Sequence, residues 1–287
     1  MNTIHVNSIN DPLLEPYRDL RHGNATRRTD WFVAEGKLVV RRLLKSDYQI
    51  RSILLSKKRT AEFESLIPAG TTVLAVDHEF CSQLVGFNFH AGVMACADRR
   101  LSGLTAMTNR TEQSLLVCCP ETSLPDNMGS IIRLAASFSA SGLITGPRST
   151  DPFSRRSVRV SMGNIFGLDI FQPPDLGNFL TDLKQQFGFE IVAGEQTPNA
   201  EPLDRFAPAE RTVLLLGNEA HGLDCEWLDL CDRAVQIEMS PEVDSLNVST
   251  AAAIMLYGIR KRLGTVPREN NAIEIHNTRP ADKSPFG

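Results

Sequence analysis

The sequence contains no Gly-x-Gly, and no Lys-Ser or Lys-Thr follows its glycine-rich turn, so neither a dinucleotide fingerprint nor a P-loop is present. None of the six cysteines, Cys81, Cys96, Cys118, Cys119, Cys225 and Cys231, forms a Cys-x-x-Cys pair. Because Cys118-Cys119 sits in an apolar run, the six are expected as reduced core thiols, not as disulfides or metal ligands. No metal site is predicted. No apolar run reaches the roughly 18 residues of a membrane span. The opening Met-Asn-Thr-Ile-His-Val-Asn lacks the basic start and apolar stretch of a signal peptide. A cytoplasmic protein is the expectation.

What is present is an ordinary globular composition: 287 residues, 42% hydrophobic and 22% charged, enough for two domains with a substantial core. Charge is unevenly divided. Residues 1–60 hold 12 Lys+Arg against 6 Asp+Glu, while the remainder holds 18 against 28. A basic N-terminal part on an acidic body fits a polyanion approached from one end. Scattered cations on a solvated helix face would give the same count.

Residues 1–25 are polar and read as a flexible arm. Apolar positions between 31 and 44 give a helical pattern, followed by strands at 50–56, 71–76 and 92–97 and helices at 60–66 and 78–85. Residues 26–100 therefore read as a small α/β unit, and 101–112 as a linker. A second unit spans 113–263. It opens on the buried-type strand 114–119, then a helix from Asn127, its N-cap, to about Ser141, closed by Gly142. Apolar strands alternating with helices follow, which argues for a parallel sheet covered on both faces. A last helix runs over 245–263, and 264–287 reads as a disordered tail.

Three segments carry the chemistry. In Asn127-Met-Gly-Ser-Ile-Ile-Arg133, Arg133 falls off the core face and near the helix start, where a cation gains nothing from the macrodipole. An anion such as RNA phosphate or a developing alkoxide would explain it. A surface arginine on an amphipathic helix explains it equally from this segment alone. Leu216-Gly-Asn-Glu-Ala-His-Gly-Leu223 leaves a buried strand directly into a turn with two glycines, which lets backbone approach a ligand closely. The third segment, residues 237–249, places Ser245 and Asn247 at a helix N-terminus. Capping by Ser245 would account for that serine but not for Asn247.

In this order and spacing the three segments resemble the motifs of the SpoU-type RNA ribose 2′-O-methyltransferases, members of the SPOUT class. The resemblance covers 114–262. A weaker likeness, at 32–40 and 90–95, is to the ribosomal-protein-like RNA-binding domain that precedes the catalytic domain in many such enzymes. The resemblance implies a C-terminal trefoil-knotted parallel sheet, S-adenosyl-L-methionine as methyl donor, a homodimer, and structured RNA as substrate, ribosomal RNA before transfer RNA. By motif position it implies catalytic roles for Arg133, Asn127, Glu219, Ser245 and Asn247. It places Leu216, Gly217, Asn218, Gly222, Ile237, Met239 and Leu246 at the donor. Glu238 and Pro241 depart from the family, which usually has Pro and Gly there. Two other readings stand beside this one: a non-catalytic knotted RNA-binding factor, and a base-directed SPOUT methyltransferase, against which Arg133 and the Ser-Leu-Asn triplet argue. For the dimer, the apolar stripe Val248, Ala251, Ala252, Met255 and Ile259, flanked by Leu256 and Leu263, is wider than one sheet face needs, so part of it is expected at a two-fold contact.

Overall fold

The computed structural model describes residues 2–18, 20, 29–108, 113–242 and 245–264, and its strands form two sheets. The first contains β1 (Asn2–His5), β2 (Trp31–Glu35), β3 (Ile50–Ser56), β4 (Thr72–Val76) and β5 (Val93–Asp98), in the order β1-β4-β3-β5-β2. β1, β4 and β3 run parallel, and β5 is antiparallel to both β3 and β2. Helices α1 (Lys37–Leu44), α2 (Thr60–Phe63) and α3 (His78–Val85) connect them.

Two expectations fail in this unit. The helix predicted over 31–44 divides: Trp31–Glu35 pairs with β5 as a strand, Gly36 turns the chain at φ 103°, and only then does α1 form. Aromatic and β-branched side chains at 31–33 suit a buried pleat, and Gly36 adopts a backbone conformation that other residues avoid. The first residues are not a loose arm either. β1 adds to the sheet beside β4, and Leu14 and Tyr17 behind it are fully buried. The Tyr17 hydroxyl donates to the Ser52 carbonyl at 2.9 Å and accepts from the Cys96 amide at 3.1 Å, so burial of that ring is fully hydrogen-bonded. Residues 21–25 lie outside the described residues.

The second sheet contains β6 (Ser114–Cys119), β7 (Gly142–Thr145), β8 (Asp169–Phe171), β9 (Glu190–Gly194), β10 (Glu201–Pro202), β11 (Arg211–Leu216) and β12 (Arg233–Gln236). Its order is β10-β12-β9-β11-β6-β7-β8, parallel throughout. The helices are α4 (Pro125–Ser137), α5 (Arg155–Val160), α6 (Leu176–Phe187), α7 (Cys225–Leu228) and α8 (Val248–Leu263). Both faces are covered, which is why β6 is apolar at every position past Ser114: Leu115, Val117 and Cys119 join the cluster of α4 and α8, while Leu116 and Cys118 join that of α6. Four of the six cysteines are buried, and all six are free thiols.

α4 also ends earlier than predicted. It stops at Ser137, and Ser139 turns the chain with φ 54°. Gly142 is not its cap but the first residue of β7. A Cβ there would come within 2.7 Å of the Asp169 carbonyl, so strand contact excludes a side chain. The predicted linker is partly ordered as well: the Ser102 amide donates to the Ile170 carbonyl at 2.8 Å, and Met107 is buried. Residues 109–112, and the tail after Gly264, lie outside the described residues.

The two units share a core. Phe32 of β2 packs on Phe153 and Phe166 with ring centroids 5.2 and 5.8 Å apart, and Tyr48 lies 5.4 Å from Phe166. Arg99, just past β5, pairs at 2.9 Å with Asp151, a carboxylate with no exposed surface. Glu35 meets Arg155 across the same boundary. Among the described residues no helix is long and apolar enough to cross a membrane.

Candidate active site

β12, β9 and β11 are neighbours in the second sheet, and the loops leaving their C-terminal ends close around a cavity of about 390 Å³. That is where open parallel sheets place ligands. The loop after β11 is a tight turn. The Asn218 amide donates to the Gly222 carbonyl at 2.8 Å, and the Gly222 amide returns to the Asn218 carbonyl at 3.1 Å. A Cβ on Gly217 would fall 2.6 Å from a Gly222 backbone carbon, so both arms of the turn touch as bare backbone. The Asn218 side chain holds the turn in place. Its Oδ1 accepts from Ala220 at 2.8 Å, and its Nδ2 donates to the Glu121 carbonyl at 2.7 Å and to Ser123 Oγ at 3.0 Å.

Glu219, at the tip of this turn, reaches the start of α4. Its carboxylate accepts from the Ser123 amide at 3.0 Å, the Leu124 amide at 3.1 Å and Asn127 Nδ2 at 2.9 Å. Asn127 Oδ1 in turn accepts from Asn247 Nδ2 at 3.3 Å. Partial burial opposes the charged form of Glu219, but the Asn127 amide and three backbone amides outweigh it and hold its pKa below the usual carboxylate value. Three residues from three separate motifs thus form one polar relay.

Two capping expectations change. Leu124 is the N-cap of α4, and Asn127 lies inside the first turn, which frees its side chain for the relay. At α8 the cap is Asn247, whose Oδ1 accepts from the Ser249 amide at 2.9 Å, and not Ser245. Asn247 therefore serves the helix and the relay with different atoms.

Arg133 stands in the C-terminal half of α4, not near its positive end, because the helix begins at Pro125 and ends at Ser137. The macrodipole argument against a structural role therefore lapses. The guanidinium is exposed and makes no hydrogen bond or ion pair among the described residues.

The cavity gathers most of the residues expected at the donor: Gly217, Asn218, Gly222, Ile237, Met239 and Leu246, with Glu219 and Ser245 beside them. Leu216 does not line it but lies buried at the end of β11. Asn127, Asn247 and Arg133 do not line it either; the first two reach it through Glu219. Sequence reasoning missed the loop after β9, where Gly194, Glu195 and Gln196 form one wall, and the α8 wall of Val248, Ala251 and Met255. A Cβ on Gly194 would lie 2.7 Å from Met255 Sδ, and Glu195 Oε2 accepts from the Leu223 amide at 3.1 Å. The signal for Glu195 was its place one residue past a buried parallel strand. A larger cavity, about 560 Å³, opens between Arg99, Thr145 and Gln172, but none of the predicted residues lines it.

Beside the cavity, Glu121, His221 and Asp224 bring their ligand atoms within 4.8 Å of one another. Arg148 already supplies the cation there, contacting Glu121 and Glu226 and lying 3.5 Å from Asp224. The Glu121 carboxylate also accepts from Trp227 Nε1 at 3.2 Å.

A doubly covered parallel sheet with a glycine-lined cavity and an acid-amide relay at its mouth defines a class of small-molecule-dependent α/β enzyme. Residues 114–257 match the model of the SpoU rRNA Methylase family. The chain is 34% identical over 257 residues to an uncharacterized tRNA/rRNA methyltransferase of Mycobacterium tuberculosis, covering 86% of this chain and 88% of that one. It is 27% identical to a 23S rRNA (guanosine-2′-O-)-methyltransferase of Acinetobacter baylyi, covering 69% and 82%. An AdoMet-bound rRNA methyltransferase from Sinorhizobium meliloti superposes with a TM-score of 0.77 at 26% identity, covering 92% of this chain and 99% of that one. The chain belongs to the SpoU rRNA methylase family.

Proposed function

We propose that the protein transfers a methyl group from S-adenosyl-L-methionine to a ribose 2′-hydroxyl of ribosomal RNA. The observation that carries this reading is the Glu219–Asn127–Asn247 relay at the mouth of a cavity floored by Gly217 and Gly222. The cavity suits such a donor. Its volume falls within the roughly 300–1,000 Å³ of small-molecule sites, and it offers bare backbone at Gly194, Gly217 and Gly222 and apolar surface at Ile237, Met239 and Leu246. Among the described residues no Lys or Arg lines it, so a donor of net positive charge meets no repulsion there. The donor's sulfonium is itself the electrophile and leaves as a neutral thioether.

The chain's residues then have three tasks: bind, align and manage one proton. Glu219 and Asn127 hold the start of α4 against the cavity loop, fixing the helix that carries Arg133. With a pKa above 12, a guanidinium is a poor base. Arg133 therefore acts by stabilising the incipient alkoxide or an adjoining phosphate. Ser245, in the cavity wall, is left to orient the hydroxyl.

The reading includes a homodimer and the trefoil knot. β9 lies between β11 and β12 in the sheet, and α8 returns to pack on α4, an arrangement consistent with the knot. Most of the apolar stripe is core: Val248, Ala252, Met255, Leu256 and Ile259 are buried in the monomer, and Ala251 and Leu263 are half-buried. Support moves to Ile254 and Tyr257 on the outer face of α8, 38% and 58% exposed, beside a groove lined by Leu203, Ile237 and Gly258. Arg133 lines no part of its own chain's cavity, which fits completion of the site by a second copy. Tyr257→Arg should give monomers on sedimentation. A ribosomal RNA substrate also sets the reaction in the cytoplasm.

Mapping ribose 2′-O-methyl sites in ribosomal RNA from a deletion strain against its parent tests the function. One modification should vanish and return with the plasmid-borne gene. An unchanged map, together with failure of the pure protein to bind S-adenosyl-L-methionine in calorimetry, would sink it.

A further inference from the structure

Five of the seven basic residues on α1, α4 and α5 have a carboxylate partner. Lys37 and Arg41 meet Glu62, Arg155 and Arg159 meet Glu35, and Arg156 meets Asp126. The two exceptions are Arg42 and Arg133. Arg42 bonds only to neutral acceptors, the Met162 carbonyl at 2.7 Å and Asn164 Oδ1 at 3.1 Å, both through Nη1. Its Nε and Nη2 remain without a partner among the described residues, as does the whole Arg133 guanidinium.

The backbone is bent to hold Arg42 there. Met162 has φ 57°, one of two positive values among the described non-glycine residues, and Gly163 follows at φ 78°. A Cβ on Gly163 would stand 3.4 Å from the Arg42 stem, so the arginine lies flat on that turn. Strain of this kind persists only where the surroundings impose it. The short helical turn after Gly163, Asn164–Gly167, packs on α4, the helix of Arg133. Arg42 and Arg133 feel each other: burial and then the Arg133 charge lower the Arg42 pKa. Two arginines on elements packed against the same short turn, without a carboxylate partner among the described residues and each with free planar donors, describe an anion site.

We propose that Arg42 of the N-terminal unit and Arg133 of α4 together grip one phosphodiester of the substrate RNA, making Arg42 a substrate-positioning residue. This rests on the proposed RNA methyl transfer. It gives the packed contact between the units a purpose, since one phosphate can be shared only if both arginines face it together.

The test is a double-mutant cycle with a fluorescently labelled RNA hairpin of mixed sequence, titrated by anisotropy from roughly 50 to 300 mM salt. Arg42→Gln and Arg133→Gln should each lower the slope of log Kd against log salt by about 0.7–0.9, the share of one phosphate. The double variant should lose no more than either single one. Arg42→Lys, which keeps the charge but not the fork, should keep the parental slope and bind several-fold more weakly. Calorimetric binding of S-adenosyl-L-methionine should be unchanged in all of them. If Arg42→Gln does not fold, the cycle is run on Arg42→Lys and read as affinity, where Arg133→Gln should cost less than in the parent. Additive slope losses, or a parental slope in Arg42→Gln, overturn the shared phosphate. A parent protein that binds the donor but no RNA overturns the underlying reading instead.

Discussion

Asn247 Nδ2 donates to Asn127 Oδ1 at 3.3 Å, joining the cap of α8 to the first turn of α4 across 120 residues of sequence. Asn127 passes the link on, donating to Glu219 at 2.9 Å. The Asn127 amide accepts from Asn247 through Oδ1 and donates to the carboxylate through Nδ2 at once, which an aspartate of the same shape cannot do when ionised. Asn127→Asp keeps the shape but sets a second carboxylate against Glu219. Methyl transfer should fall by about tenfold to a hundredfold at neutral pH, and the deficit should narrow as pH falls and one of the pair protonates. The sign for the parent is the opposite. Glu219 has a depressed folded pKa, so its contribution to stability is complete above the usual carboxylate value and is lost as pH falls through the folded pKa. Denaturant midpoints and initial rates from pH 4 to 8 check both; a pH-independent deficit in the variant would dissociate the pair.

The Arg133 guanidinium is exposed and makes no hydrogen bond or ion pair among the described residues, so its removal should cost chemistry and not structure. Arg133→Ala should lower kcat at least a hundredfold while the melting temperature and donor affinity stay at parental values. Arg133→Lys should rescue poorly, since a point charge lacks the planar fork. Single-turnover assays with radiolabelled donor read this directly. Near-parental turnover in the alanine variant would remove Arg133 from the reaction.

The parallel sheet was legible because buried strands such as Leu115–Cys119 are apolar on both faces, and the motif residues were legible by type and order. What composition could not show was which atom answers which. Asn127 reads as a cap because asparagine before an apolar run usually is one; only the fold reveals that Pro125 begins the helix earlier and releases it. Glu195 carried no motif at all. It matters because β9 lies between β11 and β12, and strand order is a property of the sheet that no local pattern encodes. The strand at 31–35 was hidden for a related reason: its apolar side chains run on into those of α1, and the break is a single glycine.

The glycine pair of the β11 loop allows a sharper test. A Cβ on Gly217 would press to 2.6 Å on the Gly222 backbone, which cannot move aside as a flexible side chain could. Gly217→Ala should open the turn, weaken S-adenosyl-L-methionine binding by tenfold or more, and lower stability by about 1–3 kcal/mol. Gly167→Ala, where nothing lies within 4 Å of the added methyl, is the matched control and should bind the donor as the parent does. Calorimetry separates them. Parental donor affinity in Gly217→Ala would mean that the cavity between these loops is not where the donor sits.

The uneven charge invites a simple experiment, removal of residues 1–100, with the expectation of a folded donor-binding domain of much weaker RNA affinity. The structure argues for a different outcome. Phe153 is fully buried and Phe166 nearly so, and their neighbours include Phe32 and Tyr48 of the segment removed. Exposing two such rings forfeits up to about 1.5–3 kcal/mol for each. The cut also takes Arg99 and leaves Asp151, with no exposed surface, without the guanidinium that pairs with it; breaking a buried pair from one side costs about 3–5 kcal/mol more. A domain with a total stability of about 5–15 kcal/mol does not survive that loss. The fragment 101–287 should therefore be insoluble, or should bind a hydrophobic dye and show no cooperative melting. A fragment that also carries Phe153→Ser, Phe166→Ser and Asp151→Asn should recover part of its solubility. A soluble, cooperatively melting 101–287 with parental donor affinity would show that the shared aromatic core is dispensable, and that the two units are joined by no more than the chain between them.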